Sequence, residues 1–133
     1  KRRDIGDAMS TLKADTIQST SGGAATLTSQ AAAKVYIRRD FNNNVTDSSF
    51  NITSVTDNAL GDQTMNISSA MSAATYSIVG MASRKANSLD FHVVMVHDSA
   101  DPTASAYRLR VANVSGSDKD AEFVSTSVDG DLA

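Results

Sequence analysis

The chain has 133 residues, a formal net charge of −3 and no cysteine, which suits one folded domain and a tail. The negative charge gives no general attraction to nucleic acid phosphates, and the lack of cysteine excludes disulfides, cysteine-based zinc sites and thiol nucleophiles. Hydrophobic residues make up 41% of the chain but aromatic residues only 5%, so a core of small aliphatic side chains is expected, and such a core favours further burial between identical subunits.

The first segment, residues 1–33, is dominated by Ser, Thr, Ala, Gly and Gln. Isolated apolar residues interrupt it at Leu12, Ile17 and Leu27. In a monomer this composition is typical of a flexible linker. In an assembly the same apolar residues could pack against neighbouring subunits. We predict that residues 1–33 form an extended N-terminal arm that attaches the protein and interlaces its subunits, with the linker as the alternative.

The folded domain is predicted from residue 34 to residue 133, and it begins with a strand. Apolar residues and Arg39 alternate there with polar residues and Tyr36, the period of two that is typical of a half-buried strand. This alternation assigns one face of the strand to Val35, Ile37, Arg39 and Phe41. Three consecutive Asn at 42–44 predict a turn, and a short second strand is expected at 45–47.

The central stretch, residues 50–80, is predicted as a strand, a tight turn, a strand, a loop and a third strand. In the first strand Ile52 and Val55 are assigned to opposite faces. Residues 57–62 contain Asp, Asn and Gly, which favour a chain reversal. The second strand places its apolar residues on one face and its polar residues on the other. Gly80 within the third strand predicts a bulge or a close neighbour.

The same stretch resembles a module that recurs in tail-fibre proteins of bacteriophages, especially marine phages. Its pattern is a strand, Ile/Val-Thr-Asp-Asn-x-x-Gly-Asp-Tyr/Gln-Thr, a second strand, then Ala-Met/Leu and a strand led by an aromatic residue. Within SFNITSVTDNALGDQTMNISSAMSAATYSIVG, residues 49–80, the segments 55–67 and 70–80 match this pattern. Residues 9–37, MSTLKADTIQSTSGGAATLTSQAAAKVYI, resemble the segment that precedes the module. Residues 81–133 share only its strand-rich style.

The strand predicted over residues 89–98 is apolar on both faces. One face carries Leu89, Phe91, Val93 and Met95, and the other carries Val94 and Val96. Such a strand is normally central in its sheet or covered by a second layer. We therefore predict that Val94 and Val96 are contacts between subunits. Two further strands are expected at residues 104–114 and 121–128.

About seven short strands separated by turn signals, with no long helical pattern, predict an all-β fold. An antiparallel β-sandwich and a compact barrel both satisfy this spacing. With the N-terminal arm, the resemblance implies a homotrimer.

No motif in the chain indicates catalysis, a cofactor or a metal site. His92 and His97 are five residues apart, so on one strand they point to opposite faces and cannot share a metal. The acidic turns lack the spacing of a calcium loop, and neither a nucleophile elbow nor a phosphate-binding loop is present. We predict that the protein is not an enzyme. Nucleic acid binding is not expected, and the lack of a long apolar run argues against membrane insertion.

The resemblance implies a structural subunit of a phage virion, a trimeric tail-fibre-type protein located in the tail or another appendage. The arm would dock on other virion tail proteins, and loops of the β-domain would contact a host-surface glycan or protein. The candidate contact residues lie in three turns: Arg84, Lys85 and Asn87; Asp98 and Asp101; and Asp118, Lys119 and Asp120. The alternative is a virion assembly or decoration protein that binds only other capsid or tail proteins.

Overall fold

The computed structural model describes residues 33–83 and 90–133. These residues form eight strands: β1 Ala33–Asp40, β2 Val45–Phe50, β3 Ile52–Ala59, β4 Asp62–Ile67, β5 Ser77–Ala82, β6 His92–Val96, β7 Ala106–Asn113 and β8 Val124–Asp129. Every strand pairing is antiparallel, and the described residues contain no helix. The prediction of an all-β antiparallel fold is confirmed, with eight strands where about seven were expected.

The strands form two four-stranded sheets whose inner faces share one core. The first sheet has the order β2-β1-β8-β5 and the second has the order β3-β4-β7-β6. Both sheets contribute buried apolar side chains to a single cluster, among them Val35, Ile37, Val124 and Val128 from the first sheet and Met65, Ile67, Leu109 and Val111 from the second. Of the two predicted architectures, this arrangement is the sandwich.

Strands β1 and β4 follow the predicted alternation. In β1 the side chains of Val35, Ile37 and Arg39 are buried, and Phe41 directly after the strand is buried as well. In β4 the inner face carries Gln63, Met65 and Ile67, all buried. One face of such a strand is buried in the core and the other is not, so buried residues recur at every second position of its sequence.

The hairpin predicted around residues 57–62 is confirmed. Leu60 and Gly61 connect β3 to β4, and Gly61 has a φ of +67°. The predicted faces of β3 are wrong, because Ile52 and Val55 both pack against the core. The register between β3 and β4 shifts between Ile52 and Ser54. Such a β-bulge adds one residue to the strand and brings two positions of opposite parity to the same face.

After β4 the chain crosses to the first sheet, where β5 pairs with β8. Gly80 of β5 lies opposite Thr126, and a Cβ atom at Gly80 would be 2.7 Å from the Thr126 Cγ2 atom. The predicted close neighbour of Gly80 is therefore confirmed. Strand β6 is not central, since it pairs with β7 alone and ends its sheet among the described residues. Only its inner face is covered, where Val94 packs against the core.

Candidate functional site

Two of the three loops predicted to contact a receptor lie at opposite ends of one strand. Residues 98–103 lead into β7, and residues 115–120 follow it. Because a strand of eight residues is about 26 Å long, these loops do not form one contact surface. The third predicted loop, with Arg84, Lys85 and Asn87, lies outside the described residues. The predicted arm, with Leu12, Ile17 and Leu27, lies outside them as well.

The loop of residues 115–120 uses its charged side chains within the protein. Asp118 accepts a hydrogen bond from Arg110 Nε at 2.6 Å, Lys119 Nζ lies 3.8 Å from an Asp90 carboxylate oxygen, and Asp120 accepts the N–H of Gly61 at 2.8 Å. The last contact fixes the β3–β4 turn against this loop. We conclude that Asp118, Lys119 and Asp120 hold the fold at this end of the sandwich.

The loop of residues 98–103 presents its polar groups to solvent. The side chain of Asp98 is 80% exposed, and among the described residues the one ionisable side chain close to it is His97, whose Nδ1 lies 3.3 Å away. Asp101 is also exposed. Of the two predicted loops that the structure describes, this is the one with carboxylates free to meet another molecule.

A buried carboxylate that the sequence did not single out lies next to this loop. Asp62 accepts two hydrogen bonds from Arg108, one from Nε to Oδ1 at 2.7 Å and one from Nη2 to Oδ2. The hydrogen bond from Arg108 is the largest cause of a lowered pKa at Asp62. His97 Nε2 lies 3.7 Å from Asp62 Oδ2, and Ser99 Oγ lies 3.1 Å from His97 Nδ1.

These contacts bring a serine, a histidine and an aspartate together, but the arrangement is not that of a nucleophile system. The Asp62 carboxylate is paired with the Arg108 guanidinium on both oxygens, and His97 Nε2 lies beyond hydrogen-bond distance from it, at 3.7 Å. The backbone N–H of Ser99 also donates to His97 Nδ1 at 3.2 Å. The cluster instead ties the end of β6 to β4 and β7.

A second buried polar cluster surrounds Arg39. Its Nε donates to Gln63 Oε1 at 2.6 Å, its Nη1 donates to Thr46 Oγ1 at 2.8 Å, and its Nη2 donates to Asn44 Oδ1. Burial is the largest cause of a lowered pKa at Arg39. Asn44 adopts a φ of +60° in the turn before β2, so the guanidinium fastens this turn to both sheets.

Within residues 33–83 and 90–133, no three His, Cys, Asp or Glu side chains lie close enough together to hold a metal ion. The described part of the chain also contains no helix that is long and apolar enough to cross a membrane.

Among the described residues, six of the large exposed apolar side chains lie on one side of the sandwich, and Tyr36, Val45, Phe50, Leu60 and Val114 are exposed elsewhere. The edge strands β5 and β6 are neighbours across the two sheets, and together they form what we call the apolar side. Neither strand contains a charged residue. Large apolar side chains are exposed on β5, on β6 and just before β6: Val79, Met81, Phe91, Val93, Met95 and Val96. The fractions reach 63% at Met81 and 71% at Phe91.

The predicted subunit contacts Val94 and Val96 both belong to the apolar side but differ in exposure. Val94 packs against the protein's own core, whereas Val96 is 38% exposed near the end of the strand. In β6 and just before it, the most exposed apolar side chains are Phe91 and Val93. The alternation along the strand had placed Phe91 and Val93 on the opposite face from Val94, so these two residues can be identified from the sequence.

A groove of about 370 Å³ lies on the outer face of the first sheet, beside β5. The small side chains of Ser125 and Ser127 on β8 form its floor. Larger side chains of the neighbouring strands form its walls, with Tyr36 and Arg38 on one side and Val79 and Met81 on the other. The groove extends the apolar surface of β5 across the sheet.

The opposite side of the sandwich, formed by the edge strands β2 and β3, is the polar side. Each strand carries one aspartate, and both have partners: Asp47 accepts from Arg38 Nε at 3.2 Å, and Asp57 accepts from Asn44. The register shifts once between β1 and β2 and twice between β3 and β4.

No family model matches the chain, and comparison with curated proteins and with solved structures gives no match either.

Proposed function

We propose that the protein is a structural subunit of a phage virion, of the tail-fibre type, that functions as an assembly of three identical chains. The observation that carries the proposal is the exposure of large apolar side chains on the apolar side. Large apolar side chains that are exposed on two neighbouring strands indicate a site of contact with another molecule. The resemblance of residues 49–80 to the phage tail-fibre module supports the virion assignment.

In this proposal two segments of the chain have different roles. Residues 1–33 attach the protein to other tail proteins of the virion. The loop of residues 98–103 contacts a glycan or protein on the host surface through the exposed carboxylates of Asp98 and Asp101. No catalytic step is part of the function.

The assembly is tested by the mass of the purified protein in solution, measured by light scattering during size-exclusion chromatography. We expect a mass three times the 14.0 kDa of one chain, at every concentration down to the micromolar range. A monodisperse, folded species with the mass of a single chain would contradict the proposal.

Host contact is tested separately by retention of the purified protein on host cells. We expect the double variant Asp98→Ala, Asp101→Ala to lose most of the retention. The control is Asp129→Ala, Asp131→Ala, which removes the same charge from the end of the chain. Equal retention of the two variants would remove the loop of residues 98–103 from the receptor site.

A virion assembly or decoration protein without receptor contact is the second candidate. It is favoured by one observation: the charged groups of the loop of residues 115–120 are all used within the protein. In that case the purified protein would bind tail or capsid proteins of the virion and would not be retained on host cells.

A further inference from the structure

The four edge strands of the sandwich differ in how well they resist pairing with another strand. Edge strands expose unpaired backbone N–H and C=O groups, and soluble proteins protect them with charged residues or β-bulges. The edges β2 and β3 contain Asp47 and Asp57, and register shifts interrupt both of their pairings. The polar side therefore has both kinds of protection.

The edges β5 and β6 have neither kind. Their sequences, SIVGMA and HVVMV, contain no Asp, Glu, Lys or Arg, and no Pro. Their pairings with β8 and β7 keep a continuous register along the strand. Two uncharged and largely apolar edges with continuous register thus lie next to each other on one side of the molecule.

Charge decides what can cover these edges. A partner that brings Asp, Glu, Lys or Arg against them would have to desolvate that charge against strands that carry no charged side chain of their own. An uncharged apolar strand meets no such cost, and its backbone can complete the hydrogen bonds of the edge. Among the described edge strands of this protein, only β5 and β6 have this character, so a second copy carries a matching surface.

The size of the apolar side sets a requirement for a contact between copies. Strands of five or six residues are about 17–20 Å long and the two sheets are about 10 Å apart, so with their flanking side chains the side covers on the order of 500 Å². A specific interface buries roughly 800 Å² on each partner. The two strands alone do not reach that area, so the adjoining apolar groove beside β5 has to contribute to the contact.

We infer that the apolar side is the surface through which identical copies assemble, with β6 of one copy pairing with β5 of the next. This inference rests on the proposed assembly of three chains. Pairing of β6 with β6 would be a two-fold contact and would stop at a dimer, whereas a contact between two different surfaces repeats around a closed ring. The polar side then faces outward, where its charges stay in water.

The first experiment introduces a charge at each edge of the second sheet. Val93→Lys places a lysine on the outward face of β6, and Thr56→Lys is the matched change on the outward face of β3. We expect Val93→Lys to give a folded species with the mass of one chain, and Thr56→Lys to keep the mass of three. Circular dichroism and thermal unfolding confirm the fold of each variant, and Met95→Lys serves as a second test of the same edge.

The second experiment identifies the paired strands and uses the absence of native cysteine. Val79→Cys on β5 and Met95→Cys on β6 are made in separate chains, which are coexpressed and treated with a short bismaleimide. We expect cross-links between the two kinds of chain, and none between copies of the Met95→Cys chain alone. The control pair is Ser48→Cys on β2 and Ser54→Cys on β3, for which no cross-link is expected.

The outcomes separate this inference from the proposed function. Cross-links through Ser48→Cys and Ser54→Cys, or a mass of three chains for Val93→Lys, would overturn the inference and leave the assembly of three intact. Cross-links between copies of the Met95→Cys chain alone would replace the ring by a two-fold contact. A single-chain mass for the unsubstituted protein would overturn the proposed function and this inference together.

Discussion

The polar side and the apolar side of the sandwich differ in how their edge strands are protected from pairing with other strands. Both consist of two edge strands with unpaired backbone groups. On the polar side, carboxylates and register shifts protect the edges within the chain itself. On the apolar side the protection is missing, and in our proposal a second copy provides it. The comparison teaches that an edge without charge is as informative about partners as a pocket is about ligands.

The largest effect is expected from removing the buried cation that anchors the polar side. Arg39→Met leaves the acceptors on Gln63 and Thr46 without their donor and removes one of the two donors to Asn44, which should lower the free energy of unfolding by about 3 kcal/mol. Urea unfolding measures the change. The control is Arg38→Met, one position away and exposed, where the loss should be below about 1 kcal/mol. Equal losses for the two variants would show that the Arg39 cluster does not anchor this side.

A second test compares one glycine from each side. Gly61, in the turn after β3, combines a φ of +67° with backbone atoms that would lie 2.5 Å from an added Cβ. Gly61→Ala should therefore cost about 2 kcal/mol or more. At Gly80 the φ is not positive and the closest atom is a side-chain methyl group of Thr126 rather than the backbone, so Gly80→Ala should cost less, about 1 kcal/mol. Thermal unfolding of both variants checks the order, and the reverse order would contradict it.

The smallest effect concerns Tyr76, which directly precedes β5. Its hydroxyl donates to the carbonyl oxygens of Thr103 and Ala106, and burial raises its pKa to about 12. Because the unfolded chain loses this proton near pH 10, the stability from Tyr76 is present below pH 10 and is lost as the pH rises towards 12. Tyr76→Phe should cost about 1 kcal/mol at neutral pH and flatten this alkaline loss.

Urea unfolding at neutral and alkaline pH measures both parts of that expectation. The matched variant is Tyr36→Phe, which removes a hydroxyl from a half-exposed side chain of β1. If Tyr76→Phe and Tyr36→Phe kept the same pH dependence as the unsubstituted protein, the hydrogen bonds of Tyr76 would not contribute to stability in the expected way.

Local pattern was enough to predict those parts of the fold that depend on one strand or one turn. The alternation in β1 and β4, the reversal at Gly61 and the close neighbour of Gly80 all follow from period and residue type. The faces of β3 could not be predicted in the same way. The bulge between Ile52 and Ser54 contains no Gly or Pro, and it becomes visible only in the pairing with β4.

Sheet order was the main obstacle to predicting the candidate site. A strand that is apolar on both faces suggested a central position for β6, but its place at the edge is set by its pairing with β7. The same long-range pairing places the loops of residues 98–103 and 115–120 at opposite ends of β7. The ion pair between Asp62 and Arg108 joins residues far apart in the chain, so no spacing in the sequence indicates it.

The pairing of the first strand with the last one has a consequence for how the protein is made. Ile37 of β1 lies opposite Thr126 of β8, so the first sheet cannot close until nearly all of this sequence has been synthesised. Contacts that span so much of the chain slow folding, because the entropy of a long loop is lost before the contact forms. Newly made chains would therefore keep both β1 and β5 without their shared partner strand until β8 has been made.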